Sequence, residues 1–439
     1  MLAFALLILI ALPVQAEDFL VGLRLPLGLE AAALEVAQAA VAQEVEALGG
    51  EMEYRYKLIP VVLVDLPPEA AAQLLEKPGV SYVEPDGEVA IPEPEAAEPE
   101  RIELSFEWLP WGVERIGADR VHHPPHPPRT AWLMTAFGFL SFSLVSLRRR
   151  GRVLLPLLLA VLLSLSTLAL TGCGLIYIRV HPATVGFMGE GVKVALLDSG
   201  IDMDHFDLKK NYRGGYDFVN EDPDPRDDNG HGTEVAGVLA ARENGFGLIG
   251  VAPRAELWAV KVLDATAHGA ISDLVRGLEW AVEHGMEIVN MSLGVTEDYK
   301  TLREAVRAAW EAGLLLVAPS GNDSGKVLYP AAYPEVIAVT ATDEDDNLAW
   351  FSNTGPEVEL AAPGVEIPTT SLGGRYILAT GTSFAAPHVA GVAALLISAE
   401  VEGNEALRAR LDNTAQDLGL EVTAQGYGLV DAVRAVFGR

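Results

Sequence analysis

The sequence predicts an α/β protein built on a large, doubly wound, mostly parallel sheet with helices on both faces, preceded by a small α+β domain. Two observations carry this. From Gly191 onward five apolar, β-type runs ("VKVALL", "LWAVKVL", "EIVNMSL", "LLLVAP" and "VIAVTAT") alternate with helical patterns such as 270–284 and 301–312. Runs that are apolar on both faces and separated by helices indicate parallel strands covered from both sides. Nearer the start, residues 17–91 read in the order βαββαβ, which fits a small α+β sandwich.

The elements of that first domain follow in turn. "DFLVGLRL" is a strand, and "GLEAAALEVAQAAVAQEVEALGG" is a helix stopped by its terminal glycines. "MEYRYKLIPVVLVDL" is a strand pair broken near Pro60. "PPEAAAQLLEKPG" is a short helix with proline at its start and glycine past its end, and "VSYVEPDGEVAI" is the last strand. Ahead of the domain, residues 1–16, "MLAFALLILIALPVQA", are apolar and end in small residues, the pattern of a secretory signal cut after Ala16. This run lacks the usual positive start, and a buried N-terminal helix is the alternative. Residues 92–110 open with "PEPEAAEPE", a charged, proline-rich and therefore exposed linker.

Charge excludes one class of partner. The 439-residue chain carries a formal net charge of −30, whereas a nucleic-acid binder needs a basic face. With Cys173 as its single cysteine, the chain can form no intrachain disulfide.

The charge is unevenly spread. Residues 120–189 hold seven Arg and no Asp, Glu or Lys. Within them, 123–181 contain two apolar runs, 131–147 and 153–172, separated by "RRRGR". "RVH" occurs at both edges, and removing the 59 residues between equivalent points leaves a continuous "GADRVHPATVGFMGEGVKVALLD". The block reads as an insertion into a surface connection. Two membrane segments, with the arginines on the cytoplasmic side, would return the chain to the outside. The first run would span only ~25 Å as a helix, short of a ~30 Å hydrocarbon core. A tethering insertion is the favoured reading, and a sequence artefact is the alternative.

Three glycine-supported blocks carry chemistry. In "VALLDSGID", Asp198 ends a buried strand, where open α/β sheets place their sites. In "DNGHGTEVAG", His231 lies between glycines at the start of a helical pattern. In "GTSFAAPHVAGVAALL", Ser383 opens an apolar helix whose dipole favours developing negative charge. Singly, each is more often a cap or turn residue. Together they supply a nucleophile, its base and the residue that orients the base. In "PSGND", Asn322 can direct an amide N–H at an oxyanion.

With these blocks in order the chain resembles the subtilisin-like serine proteases, in the order Asp198, His231, Ser383. "WGVERIGA" at 111–118 resembles the start of mature members, opening an N-terminal catalytic segment (111–122) that continues at 182–439. "YPAAYPEVIAVTATD", "LAAPG" and "GTSFAAPHVAG" match further blocks of the family. The resemblance implies a subtilisin-like fold and hydrolysis of peptide bonds through an acyl-enzyme. It implies Asn322 in the oxyanion hole, and Ser292, Leu293 and Gly294 of "NMSLG" as substrate-binding residues. Residues 17–91 resemble the family's ferredoxin-like inhibitory propeptide, with a maturation site expected within 92–110.

Departures from the family pattern are also present. Glu234 replaces a histidine usual one turn after the catalytic His, and is expected to face solvent or, alternatively, to raise the imidazole's basicity. Pro319 and Ser320 replace small alanines, and Phe206 a proline. His388 is expected to be structural. Asp222, Asp224, Asp227 and Asp228 in "EDPDPRDDNG" form a candidate Ca²⁺ loop, with a solvated acidic loop as the alternative. "LTGC" resembles a lipobox, making Cys173 a candidate for lipidation, with an inert thiol as the alternative. No cofactor is required for the chemistry. The expected partners are protein or peptide substrates, the chain's own propeptide as an intramolecular inhibitor, and a membrane through 131–172. The expected protein is an exported, self-processing endopeptidase, anchored on the outer face if the insertion is a tether. The rival is a membrane-bound, non-maturing scaffold.

Overall fold

A computed structural model describes residues 17–25, 31–92, 100–104, 106–122 and 186–438. The signal expected at 1–16, the inserted runs 131–147 and 153–172, and Cys173 lie outside the described residues. Among the described residues no helix is long and apolar enough to cross a membrane.

The first domain contains β1 (Glu17–Leu23), α1 (Ala31–Ala47), β2 (Glu51–Arg55), β3 (Val61–Leu66), α2 (Pro68–Leu75) and β4 (Val80–Pro85). Its strands form an antiparallel sheet in the order β2-β3-β1-β4, as the βαββαβ reading requires. The two-residue period of β1 and β3 divides their side chains between two cores. Phe19, Val21, Val62 and Val64 pack on the domain's own helices. Leu20, Val61 and Leu63 turn the other way and join an apolar cluster of the following domain.

Three short strands follow: β5 (Glu88–Ala90), β6 (Glu100–Ile102) and β7 (Glu107–Trp108); then come helices α3 (Trp111–Arg115) and α4 (Ala118–His122). The large sheet is built from β8 (Lys193–Asp198), β9 (Tyr212–Asp217), β11 (Glu256–Lys261), β13 (Ile288–Asn290), β14 (Leu315–Pro319), β15 (Val336–Thr342) and β16 (Val358–Pro363). All its pairings are parallel, in the order β16-β15-β14-β13-β8-β11-β9. Two short strands, β10 (Gly247–Leu248) and β12 (His268–Ala270), pair instead with β7 and β5. Strands β17 (Ile367–Ser371) and β18 (Arg375–Ala379) form a hairpin extended by β6.

Helices cover both faces. Val194 and Leu196 of β8 pack with α5 (His231–Ala240) and α8 (Thr382–Ser398). Ala195 and Leu197 point oppositely, toward α6 (Ile271–Glu283) and α7 (Lys300–Glu311). Helix α8 is buried from Thr382 through Leu396, as a helix apolar around its whole circumference should be. Chain order reverses between β8 and β13, so the crevice at their carboxyl ends is the expected place for a site.

Leu396 is fully buried in α8, so Leu396→Ala should cost about 2–5 kcal/mol through lost burial and a residual cavity. A thermal-unfolding midpoint clearly below that of the parent, both measured as full chains carrying Ser383→Ala, is the expected result.

Candidate functional site

Strand β8 delivers Asp198 to the crevice, where its Oδ1 accepts the His231 Nδ1–H at 2.9 Å. Helix α5 begins at His231, and Gly230 ahead of it adopts φ 122°, a conformation that disfavours residues with a Cβ. Gly232 lets the helix approach the turn after β8 closely: a Cβ there would lie 2.1 Å from the Gly200 carbonyl oxygen. Ser383 stands in the first turn of α8, and the ring of its neighbour Phe384 lies 5.6 Å from the His231 imidazole. His231 Nε2 and the Ser383 hydroxyl are both buried, with no hydrogen-bond partner among the described residues.

Burial opposes the charged form of the His231 imidazole. The carboxylates of Asp198, Glu234 and Asp227, with the Asp198 hydrogen bond, outweigh that cost and raise its pKa above the ordinary value. Half-buried Glu234 therefore contributes to the imidazole's basicity, the alternative the sequence reading had not favoured. His388 is fully buried, bonds through Nδ1 to the Phe384 carbonyl at 2.8 Å, and is pushed down to about 4 by burial. It is a neutral core residue, as expected.

Asn322 follows β14. Its Oδ1 accepts from the Thr382 amide at 2.9 Å and the Thr382 hydroxyl at 2.7 Å, which turns its Nδ2 toward the crevice. There Nδ2 donates to the Pro92 carbonyl. The chain leading to Pro92 lies as an extended strand: β5 pairs antiparallel with β12, and Ala90 exchanges backbone hydrogen bonds with Gly294 at 3.2 and 2.8 Å. Ser292 donates its hydroxyl to the Ser383 carbonyl at 2.8 Å and tethers the start of α8, while Leu293 is fully buried. Of the segment expected to hold substrate, Gly294 makes the backbone pairing.

The first domain is fixed beside this cleft by its own carboxylates. Glu84 accepts from the Lys300 and Thr301 amides at the start of α7, and Asp86 from the Ser272 amide at the start of α6. Neither helix has a side-chain cap on its own N-cap residue, and acidic groups there satisfy orphan N–H donors and the helix dipole. In return, buried Glu279 of α6 accepts the Tyr54 hydroxyl and the Leu58 amide, both at 2.7 Å.

The carboxylates expected to bind calcium do not converge on one ion. Asp227 is buried, and its two oxygens accept five hydrogen bonds, from the Ser199 and Thr233 hydroxyls and the Asn229, Gly230 and Thr233 amides. Asp228 pairs with Lys261 Nζ at 2.6 Å, and Asp222 accepts the Asp224 amide. Among the described residues no group of three or more His, Cys, Asp or Glu is arranged to hold a metal. Of the four aspartates, Asp227 and Asp228 are engaged by protein donors, whereas Asp222 and Asp224 are exposed. Sequence reading missed Asp227, Thr382, Ser199 and Lys261 as supports. Ser199, Asp227 and Thr382 lie beside the chemical blocks, which could have indicated them, whereas Lys261 was marked only as a lysine within the apolar run "LWAVKVL".

Residues 189–429 match the model of the Subtilase family. The chain belongs to the subtilase family. An alkaline protease of Alkalihalobacillus alcalophilus is 36% identical over 400 residues, covering 91% of this chain and 85% of the relative. Subtilisin Savinase of Lederbergia lenta is 48% identical over 252 residues, 57% of this chain and 92% of that protein. The minor extracellular protease Epr of Bacillus subtilis strain 168 is 48% identical over 250 residues, 56% of this chain and 38% of that protein. The subtilase is thus a subtilisin-like serine endopeptidase, with the α/β fold expected of it, and needs no cofactor for catalysis.

Because Glu234 stabilises the imidazolium, Glu234→Gln should lower the His231 pKa. An NMR titration of the imidazole in the Ser383→Ala protein should place its midpoint at lower pH than with Glu234 present; an unmoved midpoint would contradict the electrostatic assignment.

Proposed function

We propose that the protein is an exported endopeptidase that processes itself by cutting the Pro92–Glu93 bond, with residues 17–91 acting beforehand as an inhibitory propeptide. The observation that carries this reading is the Pro92 carbonyl held by Asn322 at the end of a strand paired along the cleft. A peptide in that register presents its carbonyl carbon for attack and fills the site against other substrates. Export rests on the apolar residues 1–16 and on likeness to a protease described as extracellular. The matched 400 residues of a 439-residue chain reach well beyond the family match.

The chemistry follows from the named atoms. Ser383 Oγ attacks the carbonyl carbon while His231 Nε2 takes the hydroxyl proton. Asp198 holds the proton on Nδ1, so that Nε2 is the free base, and stabilises the imidazolium that forms. The tetrahedral oxyanion is bonded by Asn322 Nδ2–H and the Ser383 backbone N–H. Collapse breaks the C–N bond, and His231 returns its proton to the leaving amine, that of Glu93 in self-processing. Water, deprotonated by His231, then attacks the acyl-enzyme; collapse releases the new carboxylate and restores the Ser383 hydroxyl.

Two results should follow. Expressed in full, the parent should yield a species whose N-terminal sequence starts at Glu93, whereas Ser383→Ala should stay uncut and inactive on casein; a Ser383-independent cut would overturn the proposal. Asn322→Ala should lower kcat about 10²–10³-fold with a much smaller change in KM, because the bond is strongest in the transition state.

A further inference from the structure

The seam between the first domain and helix α6 gathers more carboxylates than cations. Asp86 accepts the Ser272 amide at 2.9 Å. The next residue of the helix is Asp273, whose side chain is only 18% exposed. Asp18 of β1 and Glu84 of β4 add negative charge around Asp86, and Glu221, in the turn after β9, adds it around Asp273. Arg276 stands among these groups and pairs with Asp273 at 3.2 Å and with Glu221 at 3.0 Å. The first domain covers this turn of α6. The hydroxyl of the fully buried Tyr56 donates to the Ser272 carbonyl at 3.1 Å, and the Tyr54 ring lies 4.9 Å from the Arg276 guanidinium. Docking of the domain therefore takes two carboxyl groups, one from each side of the seam, out of water together.

We propose that Asp86 and Asp273 form a pH-sensitive latch, which holds the first domain tightly in acid and loosens it as the medium becomes neutral. The inference rests on the reading of residues 17–91 as an inhibitory propeptide, and adds the condition for its release. A carboxyl group is far easier to bury protonated than charged. Burial pushes Asp86 up to about 6 against the opposing Ser272 hydrogen bonds, and Asp18 and Glu84 add to the rise. Burial also pushes Asp273 up to about 7; Arg276 offsets part of this, while Asp86 and Glu221 reinforce it. When the domain leaves, both groups return to water and to the ordinary carboxylate range, so docking takes up protons. The stabilisation is whole below about pH 4, where the freed carboxyls are protonated as well. It is lost as pH rises through about 6 and about 7, and changes no further above that. The contact of His268 with Glu88 at 3.3 Å acts in the same sense, because it is an ion pair only while the imidazole is charged.

The test uses the full chain carrying Ser383→Ala, which keeps the domain attached, and follows hydrogen exchange of the Ser272 amide from about pH 4.5 to about 8.5, corrected for the intrinsic rate. This amide lies in the first turn of α6, where no carbonyl of the helix reaches it, and Asp86 bonds it only while the domain is docked. Its opening constant should rise by about tenfold per pH unit for each titrating carboxyl up to about pH 7, and then level off. Asp273→Asn and Asp86→Asn each remove one charge and keep a side-chain oxygen as acceptor. Each should flatten the rise and leave the amide better protected at neutral pH than in the parent, and either variant carries the test if the other fails to fold. An opening constant that ignores pH, or a rise equally steep in both variants, overturns the latch and leaves the inhibitory domain standing. A Ser272 amide unprotected at every pH means that the domain does not dock, which overturns the propeptide reading and this inference with it.

Discussion

The buried carboxylate of Asp227 holds two parts of the crevice together that nothing in the local chain would align. Through one oxygen it accepts the hydroxyl of Ser199, the residue directly after Asp198, and that hydroxyl in turn accepts the Gly232 amide at 2.9 Å. Through both oxygens it accepts the amides that open helix α5. A buried carboxylate is tolerated only when its lone pairs are filled, and here five donors fill them. The geometry is therefore strongly specified: the helix bearing His231 has one position relative to the strand bearing Asp198, and the 2.9 Å bond between those side chains is a consequence.

Lys261 serves the same corner from below. It is fully buried at the end of β11, yet its ammonium is satisfied by the Ser199 and Leu263 carbonyls at 2.9 and 2.7 Å and by Asp228. Its three donors match three acceptors, which is what makes an interior charge affordable. The loop just before α5 thus carries one carboxylate directed at the helix and the next directed at a buried cation. This division gives a structural role to the acidic residues nearest His231.

The N-terminal domain adds a second level of order. Apolar residues of its sheet share a cluster with α6 and α7, and Glu84 and Asp86 cap the open ends of those helices. Only one residue separates Asp86 from the start of β5, so these caps fix where the strand enters the cleft. Docking far from the reacting atoms in this way sets the register that places Ala90 against Gly294 and the Pro92 carbonyl on Asn322.

Much of this was legible locally. The apolar runs at β8, β11, β13, β14 and β15 announce buried parallel strands because both faces must be covered. The glycines around His231 and before Ser383 mark backbone that must turn sharply or pack closely. Edge strand β9, "YRGGYD", was hidden because its packing depends on bare backbone: a Cβ on Gly215 would sit 1.7 Å from the Ala259 carbonyl oxygen. Only tertiary structure brought Pro92 to Asn322 across 230 residues and made Asp227 a hydrogen-bond hub. The sequence by itself determined which elements form and which chemical groups stand at their ends, since propensity and periodicity act over a few residues. The partners of those groups were decided by long-range packing, because an acceptor or a steric wall is defined by where the chain returns, and no local pattern encodes that return.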